Sequence, residues 1–470
     1  MSYVGCATGD PDSRHGETLS YLIPCLPEDI WCHIHSLMPM RAAARAACLS
    51  RAFQRSWRCY PNLTLTWPML RPKLRSEELT WNIDRILRNH LGIGLKTLEL
   101  NLGGEYSTFS YVDSWLQAAV TPGIENLNLM LYKKYNFPCS LFSDGVRKSI
   151  RDLQLHTCVF RPTSELGPLR RLTSLGLSSV RITGDELECL LFNSLALEQL
   201  DLYSCKEIIF LKIPCVLQQL SHLTVVGCYR LQVIECKAPN LSYMEYSGEK
   251  VNLSLVHSLK MKRLDMHHPD VICYARAELP SIMPNLETLE IGSEIEVVNT
   301  PMLLTKFLYL KHLTIQIGVK TFPQPYDYFS LVSFFVSSPS LETLLLEAAP
   351  DDVKHESVFG SSSDLRQLPE HQHNCLKIVE IRGFSSAKSL VELTCCIVKN
   401  AVSLERLILD ILPYPERCFG EANITCWPIS NAALEEASRM VAAIKMYIED
   451  KVAPTTELIV LEPCARCHPR

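Results

Sequence analysis

Leu197-Glu-Gln-Leu200-Asp-Leu202-Tyr-Ser-Cys205 is answered further on by Leu220-Ser-His-Leu223-Thr-Val225-Val-Gly-Cys228. Both read apolar-x-x-apolar-x-apolar, with a cysteine eight residues after the first apolar place. The closing alternation is that of a short strand with one face buried. With Leu, Ile, Val, Met or Tyr accepted at the apolar places, the pattern occurs thirteen times. It begins at Leu95, Ile124, Ile150, Leu172, Leu197, Leu220, Leu241, Met261, Leu286, Leu310, Leu341, Leu376 and Leu404. The separations run from 20 to 35 residues, a spacing that overlaps leucine-rich repeats and stretches past them. Cys158 holds the same offset as Cys205 and Cys228, a place where a small buried polarisable group satisfies backbone in the turn after a strand.

Working outward, the stretches between strands read as helices. Thr183-Gly-Asp-Glu186 has capping-box form ahead of the apolar run Leu187–Phe192, and Ser389–Lys399 predicts another helix. A strand and a helix per unit make an α/β solenoid, strands on the concave face and helices outside. No unit buries its own apolar face, so the array stands by stacking. The gaps before Leu341, Leu376 and Leu404 are wide, and Gly360-Ser-Ser-Ser363 reads as an inserted loop. Asn431–Asp450 carries Leu434, Ala437, Val441, Ile444 and Ile448 on one side, which predicts a terminal helix capping the open end. The residue between the second and third apolar places should form a row down the inner face. That row reads Glu99, Asn128, Gln154, Gly176, Asp201, Thr224, Glu245, Asp265, Glu290, Thr314, Leu345, Glu380 and Ile408.

Upstream of the repeats a different rule holds. Met1–Ser20 is polar and predicts disorder. Leu26-Pro27-Glu28-Asp29-Ile30 then suits a helix start, with Pro27 at its first position and acids at the positive end of its dipole. Ile30, Ile34, Leu37 and Met38 supply an apolar stripe, and Pro39 ends it. An alanine-rich helix about Arg41–Ser50 and a third about Arg51–Tyr60 follow, stopped by Pro61. Three short helices make a poor independent core and call for something to pack on.

The 470 residues carry a net charge of −5 and 47% hydrophobic residues, which argues against a general nucleic-acid binder. Between Ile30 and Ser76 there is no acid, yet Arg41, Arg45, Arg51, Arg55, Arg58, Arg71, Lys73 and Arg75 occur. They are either a solvated face or a surface for an acidic partner. The 20 cysteines are scattered along a long chain with no apolar signal segment, so free thiols in the cytoplasm or nucleus are expected. No uncharged apolar run reaches the roughly 18 residues of a membrane span. Cys464-Ala-Arg-Cys467-His468 has the form of a haem-attachment or partial zinc motif, but it lacks a pocket or a second ligand pair, and neither haem nor metal is expected. Gly92-Ile-Gly94 lacks a third glycine, and His355-Glu356 is followed by residues that break a zinc-protease motif. No catalytic constellation and no cofactor emerge.

Leu26-Pro-Glu-Asp-Ile30, Ile34, Leu37-Met-Pro-Met-Arg41, Ala43-Ala-Arg-Ala46, Leu49-Ser-Arg51 and Trp57 resemble the F-box of plant F-box/leucine-rich-repeat proteins. Leu376–Asp410 resembles the FBD-type region that ends many of them. The resemblance implies segments 1–20 (disordered), 21–62 (F-box), 63–94 (linker or cap), 95–375 (repeats), 376–430 (FBD-like repeats) and 431–470 (capping helix and tail). It also implies a non-catalytic substrate receptor of a Skp–cullin–F-box ubiquitin ligase. The alternatives are an adaptor-bound scaffold, or a small-molecule-sensing repeat protein, without ubiquitination output. Carried over by motif, the contacts to a Skp-type adaptor, and through it a cullin, would be Leu26, Pro27, Ile30, Ile34, Leu37, Met40, Ala44, Leu49, Ser50 and Trp57. Trp31 stands where the pattern usually has Leu, and Phe53 where many F-boxes have Trp. On the repeats, Asp201, Tyr203, Tyr243, Glu245, Arg263, Asp265 and Glu290 form a candidate surface for a protein client bearing a basic segment. The other reading of these residues is ordinary solvated strand positions.

Overall fold

The computed structural model describes residues 26–66, 76–90, 94–101, 109–256, 258–296, 305–318, 326–348, 356–360, 365–367, 371–412 and 431–463. The expected disordered segment 1–20 and Cys464, Cys467 and His468 lie outside them. Three short helices open the described chain: α1 (Glu28–Ser36), α2 (Met40–Ala47) and α3 (Arg51–Trp57). Pro27 sits one place before α1, as its N-cap residue, and the acids Glu28 and Asp29 fill the first turn.

A single parallel sheet of fifteen strands then runs from β1 (Asn62–Thr66) to Glu457–Leu461, each main strand beside its sequence neighbour. In the middle of the array the register is continuous: Leu200 pairs with Leu223, Leu223 with Met244, and Met244 with Leu264. Every such place is buried, with Leu200, Leu223, Met244 and Leu264 at 0% exposure. Burying a leucine this fully contributes about 2 kcal/mol, so the array is held by a column of nearly equal increments. Parallel strands sit about 4.8 Å apart and helices about 10 Å apart. Helical returns on one side therefore bend the array, with the strands on the inside of the curve.

The structure adds detail to three expectations. The stretch 63–94, expected as a linker or cap, holds β1, which pairs in register with Thr97–Asn101, and the helix Ser76–Asn89. Tyr60-Pro-Asn-Leu63-Thr-Leu65 obeys the repeat rule, and it forms the first unit. Second, the outer face is not helical throughout. Phe210–Ile213, Val233–Cys236 and Asn252–Leu255 form a three-stranded parallel sheet there. The units starting at Leu197, Leu220 and Leu241 are separated by 20 to 23 residues, too few for a helical return, so the chain comes back extended. The unit at Leu172, 25 residues before the next, carries the helix Gly184–Phe192 with its Thr183/Glu186 capping box. Third, Asn431–Tyr447, expected as a terminal cap, buries Ala437, Met440, Ala443 and Ile444 and packs on Lys388–Asn400. The expected tail then supplies the last strand, Glu457–Leu461, paired with Arg406–Asp410.

Four neighbouring strands share one device at or near their ends. Thr157, Ser179, Ser204 and Gly227 have φ of 55°, 54°, 52° and 68°, a left-handed turn that is strained for residues other than glycine. Cys158, Cys205 and Cys228 follow three of these turns and are buried. The Cys205 thiol donates to the Leu177 carbonyl at 3.4 Å, and the Cys205 N–H donates to Cys228 Sγ at 3.3 Å. The cysteine offset visible in the sequence is thus a sulfur ladder that satisfies turn backbone.

Candidate docking surfaces

The N-terminal helices are organised by a residue whose role the sequence did not announce. His35 is fully buried; its Nε2–H donates to the Ala43 carbonyl at 3.0 Å, and its Nδ1 accepts from Ser56 Oγ at 2.7 Å. One ring therefore ties α1 to α2 and α3. The Ala43 carbonyl can only accept, which sets the neutral Nε2–H tautomer. Burial pushes its pKa below the ordinary histidine value, partly opposed by the backbone of Ala43 and Ser56. Phe53, Trp57 and Tyr60 surround the ring with centroids at 5.1, 6.4 and 6.4 Å. The two departures from the F-box pattern meet each other: Trp31 packs edge-on against Phe53 at 4.8 Å. The larger ring at 31 is accommodated by the smaller one at 53.

The implied adaptor contacts divide into two groups. Leu37 and Leu49, in the turns after α1 and α2, are 73% and 82% exposed, and Ile30 is 41% exposed. Pro27 is exposed as well, while Leu26, Ile34 and Ala44 are half-buried. The remaining three have internal work. Ser50 caps α3 by accepting from the Phe53 N–H at 3.2 Å. Met40 accepts from the Thr64 N–H through Sδ at 3.4 Å, so α2 covers β1, the first strand of the sheet. Trp57 stacks on Tyr60 at 5.3 Å. Between α2, α3 and the helix Ser76–Asn89 lies a groove of about 450 Å³, floored by Met40, Ala44, Ala47, Trp57 and Ile86. Arg41, Arg58 and Arg85 line it together with Gln54, Asn82 and Asn89.

On the strand face the register sets Asp201, Thr224, Glu245, Asp265 and Glu290 side by side on consecutive strands. The row expected from the sequence is therefore one physical line, but its members differ in freedom. Asp265 is buried; Arg263 Nε reaches its Oδ1 and Oδ2 at 3.2 and 3.1 Å, and the Tyr243 hydroxyl donates to Oδ2 at 3.0 Å. Arg263 also lies over the Tyr243 ring at 5.7 Å and reaches Glu290 at 3.7 Å. Burial, then Asp265 and Glu245, push the Tyr243 hydroxyl pKa upward, so it remains a donor. Glu290 also accepts from Gln316 Nε2 at 3.1 Å. Asp201 takes one bond from Gln199 at 2.7 Å, and Glu245 one from Tyr243 at 3.2 Å. Tyr203 lies close to both, 41% exposed, its pKa raised by burial and then by Asp201 and Glu245. The sequence showed the acids but not which of them Arg263 had already engaged.

Among the described residues no helix is long and apolar enough to cross a membrane. A family model, the LRR domain of At1g61320/AtMIF1, matches residues 86–465. Three relatives from Arabidopsis thaliana extend the match. The putative F-box/FBD/LRR-repeat protein At4g03220 is 23% identical, over 82% of this chain and 88% of its own length. The F-box/LRR-repeat protein At3g03360 is also 23% identical, over 84% and 85%. The FBD-associated F-box protein At1g61320 is 22% identical, over 82% and 88%. An internalin (inlF) structure from Listeria monocytogenes covers 74% of this chain and 92% of that one at 15% identity, with a TM-score of 0.33. Three short helices leading into an in-register parallel array, and a family match along that array, make this chain a member of the plant F-box/FBD/LRR-repeat family, with repeats of the At1g61320/AtMIF1 type.

Proposed function

We propose that the chain is the substrate-recognition subunit of a Skp–cullin–F-box ubiquitin ligase. Its helical module would dock a Skp-type adaptor, and its repeats would hold a protein client. The observation that carries this reading is the solvent exposure of Leu37 and Leu49, 73% and 82%, on a module too small to bury them itself. Exposed leucines of this kind, in a family whose named members carry F-boxes, are what a protein partner covers. Ile30, Pro27, Leu26, Ile34 and Ala44 would border them. Met40, Ser50 and Trp57 would support docking chiefly by shaping the module. The chain itself would supply no catalytic group; its contribution is to raise the local concentration of client lysines near a ubiquitin-charged enzyme in the cytoplasm or nucleus. On the repeats, Asp201, Tyr203 and Glu245 would meet a basic client segment, with Tyr243, Arg263, Asp265 and Glu290 as the braced wall beside them.

The test is titration calorimetry of the full chain against a plant Skp-type adaptor. Leu37→Asp/Leu49→Asp should weaken binding at least about 100-fold, the loss of two interface anchors, with the melting temperature unchanged because neither side chain is buried. Equal affinity of this variant and the wild type defeats the proposal, as does a wild type that binds no adaptor.

A further inference from the structure

Two cysteine pairs meet across neighbouring elements, and their surroundings differ. Cys205 and Cys228 belong to the sulfur ladder, at 0% and 2% exposure, with the Cys205 thiol spent on the Leu177 carbonyl. Cys32 lies on α1 and Cys59 just past the end of α3; both are half-buried, within reach of solutes. Their thiols hydrogen-bond each other. The seam between α1 and α3 holds the pair together. On α1, Trp31 and His35 flank Cys32, and Ser56 and Tyr60 flank Cys59 on the other side. Trp31 packs on Phe53 at 4.8 Å, His35 accepts from Ser56 Oγ at 2.7 Å, and the His35 and Tyr60 rings lie 6.4 Å apart. A disulfide joins β-carbons about 4 Å apart, a separation suited to thiols already in hydrogen-bond contact.

We infer that Cys32 and Cys59 form a reversible thiol switch, which a small disulfide such as oxidised glutathione closes into one intramolecular disulfide pinning α1 to the end of α3. The Cys59 thiolate attacks one sulfur of the small disulfide and expels a first thiolate. Cys32 then attacks the Cys59 sulfur of the mixed disulfide and expels a second. The protein loses two S–H bonds and gains one S–S bond, and both protons end on the two small thiols released. The protein dithiol is thus oxidised as one small disulfide is reduced. Burial, then Cys59, then Glu28 and Asp29 push the Cys32 thiol above its ordinary value, which keeps it protonated and leaves the opening attack to Cys59. The new bond closes a loop that contains all of α2, so it restrains the unfolded module more than the folded one. A module with so little core of its own gains most from such a staple. Neither cysteine belongs to the implied adaptor contacts, and the inference does not rest on the docking proposal.

The test equilibrates the full chain with glutathione buffers, blocks remaining thiols with N-ethylmaleimide and maps the peptides by mass spectrometry without reduction. Peptides linked through Cys32 and Cys59 should appear under oxidising buffer and vanish on return to reducing buffer, while Cys205 and Cys228 stay unlinked. Trypsin cleavage of the folded chain after Arg41 and Arg45, inside the closed loop, should slow about tenfold in the linked form. In Cys32→Ser the rate should be the same in both buffers, and Cys59→Ser carries the same expectation should the first variant fail to fold. Two separate glutathione adducts at Cys32 and Cys59 overturn the inference, as does a link from either to another cysteine. So does a pair that stays reduced while the exposed Cys48 and Cys215 are modified. A linked form cleaved as fast as the reduced one overturns the pinning of α1 to α3.

Discussion

The helical module and the repeat array solve opposite problems with the same kinds of residue. The longest module helix has nine residues, and the array buries its apolar places strand after strand. In the module the buried side chains are Ala43, Ala46, His35, Ser56 and Tyr60, while Leu37 and Leu49 stand in solvent. In the array even the polar face is engaged, with Asp265, Arg263 and Tyr243 bonded to one another. The array is complete as a folded object and the module is not. A module that leaves two leucines in solvent and buries a histidine has traded local stability for a surface.

The sharpest way to break this contrast is to damage the array and watch the module. Leu200 is fully buried between Leu175 and Leu223 on the flanking strands. Leu200→Ala should cost about 3 kcal/mol, the transfer term plus the cavity left behind, read by equilibrium urea unfolding. Nearest-neighbour stacking confines the damage to adjacent repeats, so affinity for the adaptor should stay at the wild-type value. If that affinity falls in step with stability, module and array are one energetic unit and the contrast is false.

Acidification should separate the two regions by a smaller effect. Burial holds the folded-state pKa of His35 below that of the free imidazole, about 6.5. The unfolded chain then binds the proton more readily, so this contribution to stability is present above that value and is lost as pH falls through it. Burial also lowers the pKa of His90, His156, His268 and His373, which gives the array a parallel loss. Melting temperature should therefore drop between pH 7.5 and 5.5, and adaptor affinity should weaken with it. In His35→Gln the affinity should lose its pH dependence while the array's melting keeps its own. A variant whose affinity still follows pH as the wild type does would assign the sensitivity elsewhere.

How much of this was legible depended on how local the rule was. The strands from Thr97 to Asp410 follow from a six-residue pattern that burial enforces at every turn. The first strand obeys the same pattern from Tyr60, but the helical reading of the preceding residues claimed that stretch. The last strand was not legible, because Thr455 stands at its first apolar place and Thr456 spends its hydroxyl on the Leu404 carbonyl at 2.6 Å. The outer strands near Phe210 and Val233 had both short spacing and the strand-favouring residues Ile209, Phe210, Val233 and Ile234, but the expectation of one helix per unit passed over them. The site was harder still. Exposure of Leu37, burial of His35 and the capture of Asp265 by Arg263 depend on which elements meet, and no window of sequence contains that.

The smallest expected effect bears on the strand face itself. Asp201 and Glu245 are each held by one hydrogen bond, whereas Asp265 is held by Arg263 and Tyr243 and is almost out of solvent. Their responses to substitution should therefore differ in kind. Asp201→Lys/Glu245→Lys should leave stability within about 0.5 kcal/mol, as surface changes do, and weaken binding of a fluorescein-labelled alternating Lys-Ala nonapeptide about fivefold, read by anisotropy at low salt. Asp265→Asn should instead lower stability, because it strips a half-exposed Arg263 of its buried partner, and it should change peptide binding little. If the peptide binds the double lysine variant as it binds the wild type, the acidic row is only a solvated sheet face, and recognition of a client must use some other part of the array. If Asp265→Asn loses peptide binding without losing stability, the braced wall is itself the contact, and the division between free and engaged acids along this row is wrong.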